Sequence, residues 1–177
     1  ITITNDSIEY EYFLRFVEDH KTLEALRTEW CIWDDALRLA GSIDMVFKNP
    51  DGTVSIYDWK RSKEIITMNR YGEFALSASI SHIHHCNFFH YALQLNSYKA
   101  LLEKNYGLNV KDMVIVCLHP NNPNDSYMKY TIPDLQKEIG ILFQERLEDL
   151  NTVEVEEREH NDVLYLVDGD ENVLDSD

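Results

Sequence analysis

Asn49-Pro50-Asp51-Gly52 separates two runs in which apolar residues alternate with polar ones, Leu39–Lys48 and Val54–Lys60. Period-two alternation predicts strands. Between them the Pro fixes φ and the Gly accepts the left-handed conformation, so the two runs must fold back on each other as a hairpin. A loop of Pro50 to Gly52, with Gly52 as the left-handed bulge residue, sets the register. Asn49 then stands opposite Thr53, Val46 opposite Ile56, and Asp44 opposite Asp58. Side chains of equal parity share a face, so Asp44, Asp58 and Lys60 project together, with Val46 and Ile56 on the same face toward the turn.

Two carboxylates facing each other across a strand pair repel. The arrangement makes sense when a cation lies between them. Hard divalent ions such as Mg²⁺ take oxygen ligands, usually including one or two carboxylates. A lysine two residues after Asp58 points into the same place, where it can hold a water nucleophile or offset charge developing on a phosphate. The pattern therefore predicts metal-assisted phosphodiester hydrolysis.

The residues that carry this chemistry also carry a family likeness. Gly41-Ser42-Ile43-Asp44 followed by Asp58-Trp59-Lys60 resembles the signature of the PD-(D/E)XK nuclease superfamily. Gln94-Leu95-Asn96-Ser97-Tyr98 resembles the QxxxY motif of its RecB-type branch. That branch includes the RecB nuclease domain, the CRISPR-associated Cas exonucleases and a mitochondrial genome-maintenance exonuclease. The resemblance spans roughly Arg27 to Leu118. It implies an α/β, restriction-endonuclease-like fold with an αβββαβ core, a central mixed sheet flanked by helices. It also implies hydrolysis of DNA, single-stranded or end-bearing duplex, to give a 5′-phosphate, with exonuclease action the expected mode.

By the same resemblance, Mg²⁺ or Mn²⁺ is held by Asp44, Asp58, the Trp59 carbonyl and an upstream third ligand. Glu29 is the candidate for that ligand and His20 the alternative. Lys60 orients or stabilises the water, and Gln94 positions the phosphate or the water. Tyr98 supports Gln94 or contacts the strand. Arg61, Ser62 and Lys63 are expected beside the substrate, and His90, one turn before Gln94, is placed to face the site. Two other readings stand beside this one: a catalytically idle member of the fold that binds nucleic acid or protein, and a nuclease acting on RNA.

Composition bears on these alternatives through charge. The 177 residues carry a formal net charge of −16, which disfavours nucleic-acid binding. Residues 151–177 hold ten acidic residues and one arginine, and without them the net is −7. Some of the remaining negative charge is that of carboxylates which a metal would neutralise. The chain is long enough for one domain with a proper core. We expect residues 1–150 to form the nuclease domain and residues 151–177 an acidic tail with one short strand at Val163 to Val167.

Cys31, Cys86 and Cys117 are scattered and odd in number, as for reduced cysteines of an intracellular protein. They are too few for the four-cysteine iron–sulfur cluster of some RecB-type relatives. No apolar run approaches the length of a membrane span, and no signal peptide is expected. Because the sequence begins at Ile1, a longer parent chain is expected, in which a helicase or another replication–repair module is a natural partner.

The remaining pattern fills in the core. Ser7 is placed to cap a helix over residues 7–26, and Arg27 to Trp33 reads as a strand. Ile66 to Cys86 is a long connection suited to an arch or lid. His82, His84, His85 and Cys86 lack the paired spacing of a zinc site and are read as loop residues. Asn87 is placed to cap a helix from Phe88 to Asn105 that ends at Gly107. Val110 to Leu118 reads as a buried strand, Tyr127 to Ile132 as another, and Pro133 opens a last helix to about Leu150.

Overall fold

The computed structural model describes residues 5–164, with side chains described through residue 152. The hairpin forms as its turn chemistry dictates. Strand β2 is Leu39–Lys48 and strand β3 is Val54–Lys60, antiparallel, with Val46 opposite Ile56 and Met45 opposite Tyr57. The Asn49 N–H donates to the Thr53 carbonyl at 2.9 Å, and Gly52 takes φ +83°, the left-handed conformation that a side chain would oppose.

Strand β1, Glu24–Asp34, lies antiparallel on the outer side of β2. Helix α1, Ile8–Asp19, precedes it and is capped by the Ser7 hydroxyl, which accepts from the Tyr10 N–H. The helix is shorter than its apolar spacing predicts. Leu23 and Leu26 belong to the turn and to β1, and there Leu26 packs on the core from a strand. For a stretch of this length, pairing with β2 outweighs helical spacing.

After β3 a long segment leads to helix α2, Asn87–Tyr106, which Gly107 ends at φ +67°. Asn87 is its first residue and not its cap; Cys86 occupies the cap position. Strand β4, Val110–Cys117, then runs parallel to β3, and the short strand β5, Met128–Thr131, runs antiparallel to β4. The sheet order is β1-β2-β3-β4-β5. This is a mixed α/β architecture, a five-stranded central sheet flanked by helices in the expected αβββαβ order, consistent with a restriction-endonuclease-like fold.

Two core clusters cover the sheet's two faces. Ile43, Val46, Ile56, Met113 and Ile115 pack with Leu95, Leu101 and Leu102 of α2 in the larger core cluster. Phe47, Tyr57, Val114 and Val116 pack with Phe16 of α1 in the smaller one. Full burial of one such aliphatic side chain contributes roughly 1.5–3 kcal/mol, so the two clusters hold the sheet in one register.

The last helix, α3, spans Gln136–Leu164 and passes residue 150 without a break, longer than expected. The strand expected at Val163 to Val167 starts within the last residues of this helix, and its remainder lies outside the described residues. The helix is tied to α2 by Asn96, a fully buried amide. Asn96 donates to the Pro133 carbonyl at 3.0 Å and accepts from the Leu135 N–H at 2.9 Å. Such a buried amide is tolerated because its bonds are met. Among the described residues no helix is long and apolar enough to cross a membrane.

Candidate metal and phosphate site

The two carboxylates of the hairpin lie where its ladder ends. The paired register of β2 and β3 stops at Met45 and Tyr57. Two residues further along β3, its backbone partner is a side chain: the Trp59 N–H donates to Asp44 Oδ2 at 2.9 Å. Asp44 thus both bridges the opening between the strands and fixes its own carboxylate there. On the other edge of β3 the Lys60 carbonyl accepts from the Leu118 N–H at 2.8 Å. Carbonyls alternate in direction along a strand, so that of Trp59 turns back toward β2 and Asp44.

Asp58 is 3% exposed. Its pKa is raised above the ordinary carboxylate value, first because burial penalises the charged form and further because Asp44 is close; Lys60 acts the other way. Lys60 Nζ lies 2.5 Å from Asp58 Oδ2, an ion pair. The approach is off the line that a hydrogen bond requires, and Oδ2 has no aligned donor. This buried carboxylate oxygen is therefore held by the Lys60 ion pair and not by an aligned hydrogen bond.

Lys60 is itself positioned from α2. Its ammonium stands over the Tyr91 ring, 4.9 Å from the centroid, a cation–π contact. One turn on, the Gln94 side-chain amide donates to the Tyr98 hydroxyl at 2.9 Å. The Tyr98 ring lies against Gly41, two residues before Ile43 in β2. The two stretches that suggested a nuclease are therefore in physical contact: Gly41 of the first receives Tyr98 of the second.

Other expected site residues are distributed differently. Glu29 stands opposite Asp44 in the β1–β2 register, between the pairs Thr28–Met45 and Trp30–Ile43. It is exposed and takes φ +44°. Among the described residues no three His, Cys, Asp or Glu side chains are grouped as a metal ion would need, so Glu29 is not gathered with Asp44 and Asp58. His20 is on the other face of the sheet. Its ring stacks on Phe16 at 4.2 Å and its Nδ1 lies 2.9 Å from the Phe16 carbonyl, which makes it part of the α1 packing.

Arg61 pairs with Glu9 of α1 at 2.6 Å. The Ser62 hydroxyl donates to the Glu64 carbonyl at 2.8 Å, and Lys63 is exposed. His90 is exposed on α2, its ring 4.9 Å from that of His85. Two contributors went unseen in the sequence. Tyr91 recurs with Phe88, Leu95 and Tyr98 at the spacing of an apolar helix stripe, and nothing in that spacing marks it as a seat for Lys60. Gly41 belonged to a motif, but its use, room for a distant ring, is a tertiary fact.

No protein-family model matches the sequence, and no curated protein matches it. Among solved structures, the crystal structure of a repair endonuclease from Pyrococcus abyssi is similar to 68% of this chain at 16% identity, with a TM-score of 0.35. The chain covers 40% of that protein's length.

Proposed function

We propose that this chain hydrolyses phosphodiester bonds in DNA with the help of a divalent metal, Mg²⁺ or Mn²⁺. One observation carries the reading: Asp44, Asp58 and Lys60 converge at the open end of the β2–β3 ladder, with Asp58 buried and one of its oxygens lacking an aligned hydrogen bond. Two carboxylates and an adjacent main-chain carbonyl, that of Trp59, are a hard-oxygen donor set suited to such an ion. When bound, the metal lowers the pKa of a water and polarises the scissile phosphate.

The protein's own groups do the remaining work. Asp44 holds the donor set in place through the Trp59 N–H. Lys60, seated over Tyr91, supplies positive charge where negative charge develops on the phosphate. Gln94 offers a neutral amide that donates to a phosphate oxygen or accepts from a water, and Tyr98 fixes its position. Val46 and Ile56, both fully buried, floor this face and keep the cluster in a low dielectric, where each charge acts more strongly.

The net charge of −16 favours a second reading, a member of the fold that binds a partner without catalysis. Cleavage of end-labelled single- and double-stranded DNA in Mg²⁺, Mn²⁺ or EDTA separates the two, with Asp58→Ala as the blank. Metal-dependent cleavage lost in the variant supports the nuclease, and its product ladder distinguishes exonuclease from endonuclease action. Competition with an RNA of the same sequence reports the preferred sugar. Equal products with and without Asp58 would refute the reading.

A further inference from the structure

The segment between Lys60 and α2 is ordered and yet displays large apolar side chains to water. Phe74 and His84 form a two-residue bridge, with the Ala75 N–H donating to the Ile83 carbonyl at 2.8 Å and the His85 N–H to the Glu73 carbonyl at 3.0 Å. Ile80 and Ile83 are buried beneath it. On this fixed strap Tyr71 is 92% exposed, and Met68 and Leu76 are also exposed. An exposed apolar group of this size on an ordered segment points to a contact with something else.

Tyr71 is held in place by its backbone. Its N–H donates to Asn69 Oδ1 at 2.8 Å, Asn69 Nδ2 donates to the His85 carbonyl at 2.8 Å, and Gly72 turns the chain at φ +71°. Beside the ring is an open cavity of about 300 Å³. Ile66 and Cys86 give it apolar surface, and Asn69, Arg70, His85 and Glu64 give it polar edges. An aromatic plane with an apolar floor and a few polar groups suits one planar heterocycle.

Charge narrows the ligand further. Residues 60–90 contain four Lys or Arg against two Glu, a net of +2 in a chain of net −16, together with four of its seven histidines. Lys60 and Arg61 are paired with Asp58 and Glu9, so Arg70, at the cavity's edge, is the cation offered to a polyanion there. The cavity is also fixed to the candidate site. Asn87, the first residue of α2, accepts from the Ile66 N–H at 2.8 Å and donates to the Glu64 carbonyl at 2.8 Å. The same helix carries Tyr91 and Gln94.

We propose that this cavity binds one unstacked base of a single-stranded nucleic acid, with Tyr71 as the stacking ring and Arg70 beside the strand's phosphates, and that the strand leads from there to Lys60. The inference rests on the nuclease reading of the neighbouring site and adds a base-binding residue to it.

The test is equilibrium binding of a fluorescein-labelled oligothymidylate in EDTA, read by anisotropy, for the wild type, Tyr71→Ala and Tyr71→Phe. An oligomer of the same length with abasic sites is the control ligand. The expected result is a loss of about five- to one-hundredfold in affinity for Tyr71→Ala, the size of one base–aromatic stack. Tyr71→Phe should restore it, and the abasic oligomer should bind weakly and equally to all three proteins. Unchanged binding in Tyr71→Ala overturns the inference, as does a wild type that binds no single strand. Sedimentation showing a dimer that Tyr71→Ala dissociates overturns it in favour of a self-association surface. Binding that depends on Tyr71 with no metal-dependent cleavage would refute the nuclease reading alone. Cleavage and binding indifferent to Tyr71 would refute this inference alone.

Discussion

The ring of Tyr98 fills the space that a side chain at residue 41 would need. A β-carbon on Gly41 would stand 2.5 Å from Tyr98 Cε1 and 3.0 Å from the hydroxyl oxygen. The glycine is required for room and not for backbone freedom, since it is absent from the residues with positive φ. Gly41→Ala should therefore destabilise the fold by about 1–3 kcal/mol, the usual cost of overpacking. In a Tyr98→Ala background the same substitution should cost much less. Urea unfolding of the four proteins of this cycle measures the coupling, and additive effects would show that the ring is free to move away.

Asp58 sets a pH dependence whose sign follows from its burial. Its pKa is raised in the folded protein, so the folded state prefers the protonated acid. Its ionisation removes stability as pH rises from the ordinary carboxylate value toward the raised one. Asp58→Asn should accordingly raise Tm at neutral pH without metal, and the gain should vanish below about pH 4, the ordinary range for the acid. A lower Tm for Asp58→Asn at pH 7 would mean that the Lys60 pair outweighs burial.

Lys60 separates charge stabilisation from metal binding. Lys60→Ala should lower kcat by about 10²–10³, as for removal of one group that stabilises developing charge, while Mn²⁺ binding by calorimetry stays nearly unchanged. Tyr91→Leu removes the ring beneath the ammonium and should give a smaller loss in kcat. Full activity in Lys60→Ala would assign the developing charge to another group.

A fourth prediction concerns acid stability away from the candidate site. The Lys104 ammonium, 2.7 Å from Asp34 Oδ2, is the main cause that brings the Asp34 pKa down to about 2; the Leu37 N–H and Asn105 add to it. A lowered carboxylate pKa contributes stability that is complete above its ordinary value and is lost as pH falls toward 2. Asp34→Ala should cost on the order of 1–2 kcal/mol at pH 7 and almost nothing at pH 2. Guanidinium unfolding at the two pH values reads the difference, and an equal cost at both would show that packing and not charge is responsible.

The hairpin was the most legible part of the chain because its constraints are local. Asn49 to Gly52 specify a turn, the turn specifies a register, and the register places Asp44 against Asp58. Helix α1 was legible at its Ser7 cap and not at its end, where Leu23 and Leu26 fit a helix face as well as they fit the turn and β1. Cys86 stands at the cap position of α2 without a side-chain capping bond, and the Asn87 side chain, one residue on, is engaged by the strap. The setting of Glu29 was not legible for a different reason. Glu29 has the right chemistry and stands opposite Asp44, but its backbone at φ +44° and its exposure are set by tertiary structure and leave no trace in residue type.

The candidate site draws on contacts of very unequal sequence separation, and this bears on how it assembles. Asp44, Asp58 and Lys60 belong to one hairpin closed by a three-residue loop. Tyr91, Gln94 and Tyr98 reach them only once α2 has packed on the sheet and β4 has paired with β3. Short loops close at low entropic cost and long ones more slowly. The hairpin can thus form early in folding with its two carboxylates already opposed, and the docking of α2 is the later event that seats the ammonium. A divalent ion present during refolding should then act on the hairpin step and speed it.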